Sequence, residues 1–328
     1  MSGPIIRRSW FISFRNWFAR PAKPHVRKFI RRILQIDVLE ERLNPAPIPI
    51  LLTDIYSGST SSNPSNFRAI GSTLFFTATN LSNGTELWKT DGTSTGTVLV
   101  KDINSGSGSS SLDNLTNVNG ILYFSATDGT NGIELWQSDG TSSGTVLVKD
   151  IRSGANSSKP DNLTNVNGTL YFQANDGTNS YELWKSDGTS SGTVLVKDIN
   201  KSGGSAPGGL TNMNGILYFN AYDATNGTEL WKSDGTSEGT VLVKDIASGS
   251  ISSNPNRLTN LNGILYLSAY TDALGFELWK SDGTSSGTVL VKDINIGIDP
   301  SSPGIMTNLN GILYFSASDA TNGRELWK

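Results

Sequence analysis

The residues in this sequence that could do chemistry recur at fixed intervals. An Asp stands before Gly-Thr at Asp91, Asp139, Asp187, Asp234 and Asp282. A Lys-Asp pair returns at Lys101-Asp102, Lys149-Asp150, Lys197-Asp198, Lys244-Asp245 and Lys292-Asp293. A second series of carboxylates runs through Asp128, Asp176, Asp223, Asp272 and Asp319, with Asn131, Asn179, Asn226 and Asn322 three residues after four of them. Asp-Gly with Ser and Thr is foremost turn chemistry, in which the carboxylate accepts backbone N–H bonds. Adjacent residues of a strand face opposite ways, so the Lys-Asp pairs do not form joint acid–base centres; they read as a solvated Lys and a turn-capping Asp. The Asp/Asn series is the candidate ligand-binding set, and calcium is the ion such oxygen-rich turns would hold; their spacing fits no established calcium loop. No residue is assigned a catalytic role.

Catalysis needs asymmetry, with unlike groups gathered in one place. Once the repeated acids are set aside, Asp113, Asp161, Glu238 and Asp299 remain. The arginines of the repeated region, Arg68, Arg152, Arg257 and Arg324, fall in different repeats and read as scattered. The single histidine, His25, precedes the repeats, and the chain has no Cys. A His-dependent triad, a His-ligated metal and thiol chemistry are therefore unavailable to residues 46–328.

The most conspicuous repeated group is Glu-Leu-Trp, with its aromatic at Trp88, Trp136, Trp184, Trp231, Trp279 and Trp327, at intervals of 48, 48, 47, 48 and 48 residues. So regular a period marks a repeat architecture. A Trp at the same place in each unit, beside a Leu, is expected to be a structural wedge in the core rather than a ligand platform.

The elements follow from one unit, residues 113–151. Asn119-Gly120 separates two β-rich runs, and this dipeptide suits a tight hairpin because both residues accept positive φ. It returns at Asn167-Gly168, Asn214-Gly215, Asn262-Gly263 and Asn310-Gly311. Asp128–Gly132 makes a second turn and Asp139–Gly144 a third. Four short strands in such a unit are the size of a propeller blade. Ile50-Leu51-Leu52-Thr53-Asp54-Ile55 matches the fourth strand, Leu147 to Ile151, ahead of any first strand, while the last unit stops at its third. The expected fold is all-β, a six-bladed β-propeller of four-stranded blades over residues 50–328, closed by that N-terminal strand. The Ser/Gly-rich connectors share one face with the Asp128-type turns, where variable loops on a rigid ring place binding.

Ahead of the repeats, residues 1–25 read as a disordered basic arm, 26–44 as a short amphipathic helix and 45–49 as a Pro-rich linker. Residues 1–45 hold ten basic residues against three acidic ones; the remaining 16 basic and 26 acidic residues make the rest of the chain an acidic body. Such a body repels phosphate, which excludes nucleic acid. No apolar run approaches the roughly 18–20 residues of a membrane span. The basic helix suits an anionic membrane surface or export machinery. Val38–Ala46 resembles the LEDR-type signature at the start of bacterial surface and exported proteins, although Ile36 and Asp37 stand where that pattern has Leu and Glu.

Glu-Leu-Trp-Lys-Ser-Asp-Gly-Thr-x-x-Gly-Thr-Val-Leu-Val-Lys-Asp-Ile resembles the bacterial ELWxxDGT repeat proteins over residues 50–328. The resemblance implies a β-propeller-like body on secreted or surface proteins and carries no catalytic residue. The expectation is thus a monomeric, non-catalytic binding or scaffold module at the cell surface or outside the cell, for a carbohydrate or protein partner. The alternatives are a sialidase-like glycoside hydrolase and a purely structural surface repeat.

Overall fold

The computed structural model describes residues 48–328, so the basic arm and amphipathic helix lie outside the described residues. Residues 51–328 form one compact unit. It is all-β, with five four-stranded sheets and one three-stranded sheet, and every pairing is antiparallel. Each sheet is built from consecutive strands, a meander, as expected for a blade. The blades run over 65–101, 113–149, 161–197, 208–244, 256–292 and 307–327.

Blade 2 shows why. Its strands are Asp113–Val118, Ile121–Ala126, Glu134–Ser138 and Val146–Lys149. Asn119 and Gly120 have φ of 53° and 89°, the left-handed pair that a two-residue hairpin demands, and they set Val118 opposite Ile121. In the middle strands, Phe124 faces Trp136 and Ser125 faces Leu135. Alternation sends Phe124, Ala126 and Trp136 to one side, where they pack against Phe75, Leu87 and Val100 of blade 1. The other side carries Tyr123, Leu135 and Val148, which pack against Phe172, Ala174 and Trp184 of blade 3. Both faces of a central blade are therefore buried, and the core is a series of layers between sheets. First strands neighbour one another from blade 1 through blade 5.

The last blade departs from the expected closure. Thr307–Leu309, Ile312–Asp319 and Gly323–Trp327 make three strands, and residues 50–55 pair with none of them. Ile55 packs on Phe76, Ala78 and Trp88 of blade 1, as Ile103 packs with Phe124, Ala126 and Trp136 of blade 2, and Asp54 Oδ2 accepts the Gly58 N–H at 3.1 Å, as Asp102 Oδ2 accepts that of Gly106 at 3.0 Å. The segment thus enters blade 1 as the other connectors enter their blades, but it makes no strand pairing with blade 6 among the described residues. Val291, beside the edge of blade 6, is 42 % exposed, whereas its repeat equivalents Val148 and Val196 are 6 % exposed.

Candidate functional site

In blades 1 to 5 the start of the first strand is shaped by a β-bulge. In blade 2 the register shifts between Asp113 and Thr116, and in blade 3 between Asp161 and Thr164. Asn114 and Asn162 sit in the bulges at φ of 61° and 57°, a conformation that Asn tolerates better than most residues. A bulge re-aims the side chains beside it. Here it turns Asp113, Asn114 and Asp161 into a cleft of about 490 Å³ where blades 2 and 3 meet. Lys159, Gln173, Tyr181, Ser111 and Ser125 complete its polar lining.

Several of these groups are fixed by their own hydrogen bonds. Asp113 Oδ1 accepts the Asn114 N–H at 2.8 Å, and Asp161 Oδ1 accepts the Asn162 N–H at 2.7 Å. Gln173 Nε2 donates to Asp161 Oδ2 at 3.2 Å, and Asn114 Nδ2 to the Pro160 carbonyl at 3.4 Å. Lys159 is held at φ 48°, and its N–H donates to the Ile133 carbonyl at 3.0 Å. The cleft thus combines two carboxylates, one ammonium, two carboxamides, two hydroxyls and a phenol. That mixture can hydrogen-bond both the N–H and the C=O of an extended chain.

The structure brings together residues that looked dispersed. Asp113 and Asp161, two of the acids outside the repeat pattern, line one cleft. Arg257 and Arg324, read as scattered, line another, where Arg324 donates to the Ser302 carbonyl and Ser316 Oγ at 3.1 and 2.9 Å. Sequence separation hid this, because neighbouring blades bring residues 48 positions apart into register.

The Asp/Asn turns form self-contained motifs instead. Asp128 Oδ1 accepts the Thr130 and Asn131 N–H groups at 2.9 and 2.7 Å, and Asn131 Nδ2 donates to Oδ2 at 2.8 Å. The same bonds tie Asp176 to Asn179, Asp223 to Asn226 and Asp319 to Asn322. Asp272 has no such Asn three residues on. Burial raises the Asp128 carboxyl, yet the bonds from Asn131 and Thr130 outweigh it and hold it below the usual value. Their oxygens are committed to the turn, and among the described residues no acidic cluster is arranged to hold a metal ion. The Asp-Gly-Thr turns of blades 1 to 5 are equally closed: Asp139 Oδ1, for example, accepts both the N–H and Oγ1–H of Thr141, at 2.8 and 2.7 Å.

Two repeated groups behave unlike the sequence expectation. The Lys of Lys-Asp is not merely solvated. Lys101 Nζ donates to the Thr145 carbonyl and Lys149 Nζ to the Thr193 carbonyl, both at 2.8 Å, and Lys197 and Lys244 do the same to Thr240 and Thr288, so these four Lys tie their blades to the next. Its neighbour Asp150 does cap a turn, with Oδ2 accepting the Gly154 N–H at 3.0 Å. The Glu of Glu-Leu-Trp, assigned no role from sequence, is fully buried at Glu86, Glu134, Glu182, Glu229 and Glu277. Glu134 accepts from the Ile151 and Ser158 N–H groups at 2.8 and 2.7 Å and from Ser158 Oγ at 2.6 Å. It therefore latches the connector that leads to the following blade. Burial pushes Glu86 and Glu182 up to about 7 against the pull of these hydrogen bonds. The signal was available: Glu lies two residues before Trp and so shares its inward face. Trp88, Trp136, Trp184, Trp231 and Trp279 are buried in the layers between sheets, and Trp327 is half-buried at the open edge.

Six meandering antiparallel sheets with layered cores define a β-propeller-like protein. No family model and no curated protein matches the chain. Solved structures of β-propeller peptidases do. Prolyl oligopeptidase B from Galerina marginata, bound to a 35mer hydrolysis and macrocyclization substrate, is 14% identical over 79% of this chain and 42% of its own, with a TM-score of 0.52. A puromycin hydrolase is 14% identical over 82% of this chain and 44% of its own, with a TM-score of 0.47. The chain spans less than half the length of these proteins. At such identity the likeness shows the fold. The expectation of a carbohydrate- or protein-binding surface module is corrected by one neighbour: the solved structure that shares the fold at a TM-score of 0.52 is a prolyl oligopeptidase.

Proposed function

We propose that this chain is the propeller of a hydrolase-related protein, binding peptide substrate for a catalytic unit that lies outside residues 48–328. The cleft between blades 2 and 3 carries the reading. Asp113, Asp161, Lys159, Gln173 and Tyr181 offer donors and acceptors on opposing walls, suited to an extended peptide backbone. Residues 48–328 hold no His and no Cys, so the usual base or thiol of a peptidase must come from elsewhere. The peptidase class of the neighbouring structures supports the same choice of ligand.

A fluorescently labelled, proline-containing decapeptide tests it by anisotropy. Saturable binding is expected, weakened about tenfold or more when Lys159→Ala and Asp161→Asn are combined, a loss of about 1.4 kcal/mol. The peptide should remain intact by mass spectrometry. Absence of binding to the unaltered chain, or cleavage by the chain alone, would overturn the proposal.

A further inference from the structure

We propose that the cleft between blades 5 and 6 is a second ligand site, which takes the carboxylate group of an acidic ligand. Two guanidiniums, Arg257 and Arg324, line this cleft of about 280 Å³, and no carboxylate does. Asn256, Ser268 and Ser302 add neutral polar groups, and Phe276 an apolar wall. The cleft stands at the same place in the repeat as the one between blades 2 and 3. Aligned on the repeat, Asn256 replaces Asp113, Gly304 replaces Asp161, Ser302 replaces Lys159 and Arg324 replaces Tyr181. The scaffold is repeated and its charge is reversed. In blade 3, which a further blade follows, Gln173 and Tyr181 line an open cleft, so access at these positions belongs to the repeat and not to the last blade.

Both arginines are held in particular ways. Arg257 occupies the first-strand bulge at φ 58°, where the preceding repeats have Asn66, Asn114, Asn162 and Gly209. Asn and Gly accept a left-handed backbone more readily than other residues do. A long side chain kept in that conformation is strained, and such strain collects at ligand-binding sites. Arg324 is fixed by its own bonds. Its two Nη groups donate to the Ser302 carbonyl at 3.1 Å and to Ser316 Oγ at 2.9 Å, and further N–H donors of the fork remain for a ligand. Gly304 makes the room: a Cβ there would collide with Ser316 Oγ and approach Arg324 Nη2 to 2.9 Å. Its backbone is not left-handed, so the missing side chain serves the space and not a turn.

Guanidinium forks match the two oxygens of a carboxylate in one plane. The single charge of that group also suits a body that is acidic overall, which repels a doubly charged phosphate more strongly. The same chemistry is offered by the carboxyl terminus of a peptide and by a small organic acid.

Calorimetric titration of the full chain separates these sources. The probes are succinate, an N-acetylated Ala-Ala-Phe peptide with a free carboxyl terminus, and the same peptide amidated. Both acids should bind saturably, and the amide at least about tenfold more weakly than the free peptide. A peptide tighter than succinate assigns the site to peptide termini; succinate as tight as the peptide assigns it to small organic acids. Arg257→Asn restores the residue of blades 1 to 3 and relieves the backbone, so it should weaken both acids about tenfold or more without lowering the melting temperature. Arg324→Gln should weaken them as much, and Gly304→Asp, which installs the carboxylate of blades 2 and 3, should abolish binding. Lys159→Ala combined with Asp161→Asn should leave succinate binding as it was, which keeps this outcome independent of peptide binding in the other cleft. The proposal is overturned if neither acid binds, if acid and amide peptides bind alike, or if inorganic phosphate binds more tightly than succinate. It is equally overturned if both arginine variants bind succinate as the unaltered chain does, or if the Lys159 and Asp161 double variant loses that binding.

Discussion

Burial raises the carboxyls of Glu86, Glu134, Glu182 and Glu229, which ties the stability of the chain to pH. Glu182 is fully buried and receives the Ser205 and Ile199 N–H groups at 2.8 and 3.1 Å, yet burial dominates and its carboxyl rises from 4.5 to about 7. The folded protein thus holds this proton more tightly than the unfolded chain does. Its stabilising contribution is complete below about pH 4.5 and is lost as pH rises through about 7. Hydrogen bonds from Thr141 and Thr189 hold the exposed turn carboxylates Asp139 and Asp187 low, so their contribution is lost in the opposite direction, as pH falls. Stability should therefore peak in mild acid. Calorimetry should show a melting temperature several degrees higher at about pH 5 than at about pH 8. Glu182→Gln, which keeps an acceptor for Ile199 and cannot titrate, should reduce that difference. A protein that melts higher at the alkaline pH would contradict the assignment.

At the scale of the blade, the third strand carries the wedge. Trp184 is 6 % exposed and packs with Leu135, Val148 and Phe172, so it fills the layer between blades 2 and 3. Trp184→Ala should cost about 3–5 kcal/mol, as deletions of large buried side chains do. For a body of this size that corresponds to a fall in melting temperature on the order of 10 °C. Trp184→Phe should cost much less, because it keeps a ring in the layer and the Trp184 Nε1–H makes no hydrogen bond that would be lost. Equal losses for the two variants would show that the ring does not act by filling space. The strands and turns around this Trp were legible in the sequence, since Asn-Gly turns and period-two alternation are local signals. The latch of Glu134 on Ser158 and the tie from Lys149 to Thr193 were not. Both depend on how a connector folds back or how the next blade docks, and no local pattern encodes either. The cleft escaped for a similar reason: Asp113 and Asp161 converge only through bulges that shift the register of two first strands.

For the whole molecule, the six-fold count was legible and the state of the last blade was not. The phase of the repeats matches residues 50–55 to a fourth strand, but phase does not say which edge the strand will occupy. The consequence is a gradient of stability along the chain. Blades 2, 3 and 4 are covered on both faces, with Leu122, Leu170 and Leu217 fully buried. In blade 6, Leu309 and Ile312 are 57 % and 44 % exposed, and Glu325 is exposed. Local opening is governed by such differences in burial and edge protection, and in repeat-built bodies it begins at the unit with fewest neighbours. Hydrogen exchange at low protein concentration should accordingly show the backbone of 312–327 exchanging at least about tenfold faster than that of 169–186, a difference in opening free energy of about 1.4 kcal/mol or more. Uniform protection across all six blades at low concentration would mean that the edge of blade 6 is covered within a single chain.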